Sequence, residues 1–117
     1  MSVVYFTADW MFATQATAAA KDRSLGMKVV GDAATLAAAC DQDTTLVIVD
    51  LESAAGGLAE IVSIVLAGQG ERPQIVAYGP HVHEGRLAAA RQAGCDSVLS
   101  KGKFHAQMQS LLQEHAG

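Results

Sequence analysis

The sequence predicts a doubly wound α/β domain: a five-stranded parallel sheet in the order 2-1-3-4-5, with helices on both faces. Three observations carry this. Short β-branched runs such as Leu46-Val47-Ile48-Val49 lack polar alternation, the mark of strands buried on both faces in a parallel sheet. Segments with helical apolar spacing lie between those runs. Strand and helix alternate five times, and right-handed crossovers then fix the order.

Each element has its own signal. Val3-Val4-Tyr5-Phe6 is the first strand, followed by a helix from about Trp10 to Asp22 with Phe12, Ala16 and Ala20 inward. Lys28-Val29-Val30 is a short second strand near an edge, and Asp32 is placed to cap a helix over Ala33 to Cys40. Leu46 to Val49, closed by Asp50, is the third strand. Leu58, Ile61, Val62, Val65 and Leu66 then form one apolar helical stripe. Pro73 leads into the fourth strand, Ile75-Val76-Ala77-Tyr78. Glu84 to Ala93 is an alanine-rich helix stopped by Gly94, and Ser97-Val98-Leu99 is the fifth strand. Phe104, Met108, Leu111, Leu112 and His115 give the last helix its stripe.

Composition narrows the function. A chain of 117 residues, half of them hydrophobic, suits one domain over 1–117, with no output domain expected. The net charge of -4 and the lack of a basic run give nucleic acid no electrostatic handle. Cys40 and Cys95 fall in different elements with no CxxC, which points to two small buried thiols in a reducing compartment. No signal peptide and no run long enough for a membrane span is seen, so a cytoplasmic location and no membrane partner are expected. No GxSxG elbow or glycine-rich phosphate loop is present, and Gly56-Gly57 reads as a loop.

The chemistry gathers at one sheet edge. Open α/β sheets carry ligands at the carboxyl ends of their strands. Those ends bring together Thr7-Ala8-Asp9, Asp50-Leu51-Glu52, Gly79-Pro80-His81 and Ser100-Lys101. Asp50 with Lys101 on such an edge suits either an inert ion pair or a phosphorylation site. Over its whole length the chain resembles a response-regulator receiver domain of two-component systems. Asp50 stands where that family carries its phosphoacceptor. Lys101 ends Ala93-Gly94-Cys95-Asp96-Ser97-Val98-Leu99-Ser100-Lys101, which is similar to the family's AGADDYLTK pattern.

The chain also departs from that pattern. Receivers end their first strand in two adjacent acids that hold Mg²⁺; here those positions are Thr7 and Ala8, and the nearest acid is Asp9. Asp9, Asp50 and Glu52 are the remaining Mg²⁺ candidates, a poor set for an ion that demands octahedral oxygen ligands. Gly79 stands at the place of the family's switch Ser/Thr and Val98 at that of its switch aromatic. Gly102 replaces the proline after the lysine. A cis bond there costs about 2.5–4 kcal/mol, so a trans peptide is expected.

The resemblance, so altered, implies an atypical or pseudo-receiver that signals by protein–protein interaction. Its partner would be a histidine kinase, another regulator or a second copy in a transient homodimer. Receivers commonly pair through the face made by their fourth helix, fifth strand and fifth helix, here offering Arg86, Arg91, Lys103, Gln107 and Gln109. Asp50 is then expected to be salt-bridged to Lys101 and not enzymatic. The alternative is a phosphorylatable regulator in which Asp50 accepts phosphoryl with Mg²⁺, Lys101 binds a phosphoryl oxygen, and autophosphatase activity is weak at most. A second alternative is a metal-binding module, in which His81 and His83 join Asp50 around Zn²⁺. Phe12 is expected in the core and Trp10 capping the sheet edge, although the two together would also make an exposed partner patch.

Overall fold

The computed structural model describes residues 1–54, 57–68 and 70–116. Five parallel strands form one sheet in the order β2-β1-β3-β4-β5, as the alternation predicts. They are β1 Ser2–Phe6, β2 Gly26–Val30, β3 Thr44–Asp50, β4 Gln74–Gly79 and β5 Ser97–Ser100. The helices are α1 Trp10–Asp22, α2 Ala33–Ala39, α3 Leu51–Ala54, α4 Leu58–Leu66, α5 Glu84–Ala93 and α6 Lys101–His115. The single turn α3 adds to the five expected helices and runs directly out of β3. Ala55 and Gly56 of the expected glycine loop lie outside the described residues.

Strand alternation divides the sheet's side chains between two cores. Val4, Phe6, Val47, Val49, Ile75 and Ala77 pack with Leu36 of α2, Ile61, Val62 and Val65 of α4, and Leu87 and Ala90 of α5. Val3, Tyr5, Leu46, Ile48, Val76 and Tyr78 pack with Phe12, Ala16 and Ala20 of α1 and Phe104, Met108 and Leu112 of α6. The inner strands β1, β3 and β4 are buried on both sides, which is why they read as unbroken apolar runs.

The helix ends follow local chemistry. Asp32 accepts from the Thr35 amide at the start of α2, and Ser100 accepts from the Lys103 amide at the start of α6. Gly94 takes φ +105° after α5, a left-handed cap that favours glycine. Two apolar residues depart from expectation. Trp10 is 70% exposed and does not cap the sheet. It lies two residues before Phe12, about 200° around the helix from the buried stripe. Leu66, the last residue of α4, is 48% exposed. No helix among the described residues is long and apolar enough to cross a membrane.

Polar groups pin the amino-terminal end of the sheet. Asp96 accepts from the Ile75 amide at 2.7 Å and from Arg72 at 2.9 Å, and Arg72 also donates to the Gly94 carbonyl. This ties the start of β4 to that of β5. His115 closes α6 onto the strands: Nδ1 meets Thr45 Oγ1 at 3.0 Å and Nε2 meets Gln74 Oε1 at 2.8 Å. Burial holds its pKa below the usual histidine value, against a smaller opposing effect of Glu114.

A neutral His115 in the fold gives a testable pH dependence. The unfolded chain takes up a proton near pH 6.5, the folded chain only below that. Stability is therefore full above pH 6.5 and falls as the pH drops towards the folded value. Urea midpoints measured from pH 8 to 5 in wild type and His115→Gln are expected to show this acid loss reduced in the variant. At pH 8, His115→Ala is expected to lose about 1 kcal/mol per hydrogen bond removed.

Candidate functional site

Asp50 is the final residue of β3 and points to the same face as Leu46 and Ile48. It is only 6% exposed, so its carboxylate has little water to compensate it. Three donors do so instead. The Thr7 hydroxyl donates to Asp50 Oδ2 at 2.8 Å and the Ser53 hydroxyl donates to the same oxygen at 2.9 Å. The Glu52 amide donates to Asp50 Oδ1 at 3.1 Å.

Both hydroxyls also accept. The Asp9 amide donates to Thr7 Oγ1 at 3.0 Å and the Ala8 amide donates to Ser53 Oγ at 2.9 Å. The segment after β1 and the turn after β3 are thus laced together through one carboxylate. β1 and β3 are neighbouring strands, and α3 starts at once after Asp50, which swings Ser53 back over it. Thr7 fills the place of a receiver acid, and Ser53 follows Asp50 by three residues. In the sequence alone Thr7 stands out only as a missing acid, and Ser53 does not stand out at all. The signal was present: hydroxyl residues at both places that face the acid.

The expected partners of Asp50 go elsewhere. Asp9 is the N-cap of α1, its Oδ1 accepting from the Phe12 amide at 3.1 Å. Lys101 is the first residue of α6 and not the end of β5. Among the described residues its ion pair is with Glu52, at 3.9 Å and with both side chains over 40% exposed, and no pair with Asp50 forms. The expected Asp50–Lys101 salt bridge is therefore corrected. The hydroxyls satisfy the buried carboxylate, and Lys101 finds the solvent-side acid. Such an exposed pair contributes at most about 1 kcal/mol.

The floor of the site is aromatic. Asp50 pairs in register with Tyr78, and the Tyr78 and Tyr5 hydroxyls hydrogen-bond to each other beneath it. Tyr78 stacks on Phe104 with ring centres 4.1 Å apart, and His105 stacks on Phe12 at 3.9 Å. Burial above all pushes both tyrosine pKa values up, with the Asp50 charge adding to it, so both stay protonated. Burial, and then Lys101, lower the His105 pKa, against Asp9 and Asp50.

The switch positions are also filled differently. A Cβ at Gly79 would meet Leu51 Cβ at 3.4 Å, an ordinary packing contact, so the place has room for a small side chain but glycine brings no hydroxyl to it. Val98 packs against the α4–α5 core, and no peptide among the described residues is cis.

Mg²⁺ does not fit these residues. Asp50 Oδ2 already takes two hydroxyl protons, and Asp9 is turned to its helix cap. Among the described residues no three His, Cys, Asp or Glu side chains come together to hold a metal ion. That holds for Asp9, Asp50 and Glu52, and equally for His81, His83 and Asp50. His81 is exposed in a turn, and the buried Nδ1 of His83 has no hydrogen-bond partner among the described residues.

The arrangement of strands and helices matches solved structures. A response regulator from Hahella chejuensis superposes with a TM-score of 0.77 at 16% identity, covering 97% of this chain and 93% of its own. This is the response-regulator receiver fold. The receiver domain of the Pseudomonas aeruginosa sensor histidine kinase PA1611, which has a magnesium ion in its active-site cleft, shares it at a TM-score of 0.74. That match is 19% identical over 99% of this chain and 97% of the other. The CheY-like protein TadZ of the same organism matches at 0.69 and 16%, covering 100% and 94%. No family model and no curated protein matches the sequence. Receiver folds with their metal thus exist beside this one, whose acid is held by hydroxyls.

Loss of either polar floor or polar lid is measurable. Thr7→Val is expected to cost about 1–3 kcal/mol in urea denaturation, because it strips a donor from Asp50 and an acceptor from the Asp9 amide. Tyr5→Phe alone leaves the Tyr78 hydroxyl orphaned and is expected to destabilise by a similar 1–3 kcal/mol, roughly. Tyr5→Phe with Tyr78→Phe is expected to recover part of that loss, since no buried hydroxyl is then left unpaired.

Proposed function

We propose that the chain is an atypical receiver-like module of two-component-type signalling, working by protein–protein contact without the standard phosphorylation switch. The observation that carries this is the engagement of Asp50: two hydroxyls and an amide hold the carboxylate that would otherwise attack a phosphoryl donor. An attacking oxygen needs a free lone pair aimed at phosphorus and a cation to neutralise the transferring group. Oδ2 is doubly engaged, Oδ1 accepts the Glu52 amide, and Asp9 uses its own Oδ1 to cap α1 and brings no cation to the site. Gly79 and Val98 lack the hydroxyl and the ring that would relay the event.

The surface suits contact with a protein. Arg86, Arg91, Lys103, Gln107 and Gln109 are all exposed on α5 and α6, with Arg86 on the α3–α4 side and Gln109 on the α1 side, and such scattered polar groups suit a transient partner. Trp10 and Met11 are 70% and 79% exposed at the start of α1, beside the Asp50 site. Exposed aromatic and Met side chains of this kind are enriched where proteins meet. The partner would be a histidine kinase, another regulator or a second copy of the chain.

The test is incubation with acetyl phosphate in millimolar Mg²⁺, followed by intact mass and by Trp10 fluorescence. No mass adduct and no fluorescence change are expected. A stoichiometric phosphoryl adduct that disappears in Asp50→Asn would establish the phosphorylatable regulator instead.

A further inference from the structure

The hydroxyls around Asp50 are each oriented by the backbone. An amide proton enters each oxygen from one side, from Asp9 into Thr7 and from Ala8 into Ser53. The hydroxyl proton leaves on the other side, towards Asp50 Oδ2. Hydrogen bonds in such chains polarise one another and strengthen the terminal donor to the carboxylate. Two polarised O–H groups and one N–H therefore supply the positive field that a divalent ion supplies elsewhere.

An ion that binds Asp50 through Oδ2 has to undo this hydroxyl pair. Mg²⁺ takes oxygen ligands at about 2.0–2.1 Å in octahedral geometry. Coordination at Oδ2 displaces the Thr7 and Ser53 hydroxyl protons from that oxygen. The nearby acids are otherwise employed: Asp9 caps α1 through Oδ1, and Glu52 faces Lys101 at 3.9 Å. Each displaced donor is left to find a new partner in a mostly buried place, a costly exchange for a reluctantly dehydrated ion.

We propose that Thr7 and Ser53 are a built-in substitute for the divalent cation. They clamp the β1–α1 and β3–α3 connections in one state that neither Mg²⁺ nor its removal alters. The proposal rests on the reading of a receiver-like module without a phosphorylation switch, and adds to it how the site is held shut. The partner-facing start of α1 follows directly on the clamped segment, so its position is cation-independent too.

The test is a metal titration of the full chain. Thermal midpoints are compared in EDTA and in millimolar MgCl₂, and Tb³⁺ luminescence is sensitised through Trp10, the single tryptophan. Wild type is expected to show no midpoint shift and no saturable Tb³⁺ signal. Thr7→Asp/Ala8→Asp is expected to melt lower in EDTA and to regain stability and gain Tb³⁺ luminescence with metal. If that variant is unfolded in EDTA, refolding on adding Mg²⁺ reads the same outcome. A midpoint rise in wild type on adding Mg²⁺, abolished by Asp50→Asn, overturns the clamp. Mg²⁺ binding with no phosphoryl adduct overturns the clamp alone. An adduct on Asp50 formed with no Mg²⁺ binding overturns the interaction reading and shows that the hydroxyls do not hold Asp50 shut, while the cation-independence of the midpoint stands.

Discussion

A buried carboxylate must be compensated, and in this chain that demand shapes the whole carboxyl edge of the sheet. Asp50 is fixed in place by its strand, which is buried on both faces between two cores. Its charge is then met by Thr7 from the neighbouring strand end and by Ser53 and the Glu52 amide from the turn that follows. Without those donors the carboxylate is an uncompensated charge, and such groups are strongly destabilising. With them, it becomes the tie between two loops. The tyrosine pair beneath and the half-exposed Glu52–Lys101 pair above are arranged around it.

The same compensation is what distinguishes this site under the proposed reading, because a receiver fold does not by itself fix the chemistry at its strand ends. Fold and function are separable, and function lives in the site grafted on the fold. The strand order is that of the receiver fold. The groups that meet the acid are two hydroxyls and an amide, not further carboxylates. A hydroxyl neutralises a carboxylate by a directional hydrogen bond, with no net charge and no open coordination site. It stabilises the resting acid and gives little to a transferring phosphoryl group, which needs positive charge around its equatorial oxygens.

Much of the fold was legible because burial on both faces writes itself into sequence. The runs at Val3 to Phe6, Leu46 to Val49 and Ile75 to Tyr78 all became central strands. Asp32 and Gly94 marked their helix ends through local backbone chemistry. Trp10 is apolar yet exposed because helical phase, and not residue type, sets burial; its position lies off the stripe of Phe12, Ala16 and Ala20. The site was harder to read. Asp50 and Lys101 were found by their places at strand ends, but their pairing was not. Ion-pair formation depends on which donors arrive first at a buried acid, and that is set by tertiary geometry. The hydroxyls of Thr7 and Ser53 have no charge to draw the eye in a sequence, and their role appears only once β1 lies beside β3.

The central claim is that hydroxyl protons, and not a cation, compensate Asp50. The most direct measurement is a high-resolution crystal structure of the chain grown in millimolar MgCl₂ with beryllofluoride. The account predicts Thr7 Oγ1 and Ser53 Oγ within hydrogen-bond distance of Asp50 Oδ2, with no density for a metal or a fluoride adduct. An octahedral ion at about 2.1 Å from Asp50, with the Thr7 hydroxyl turned away, would contradict it.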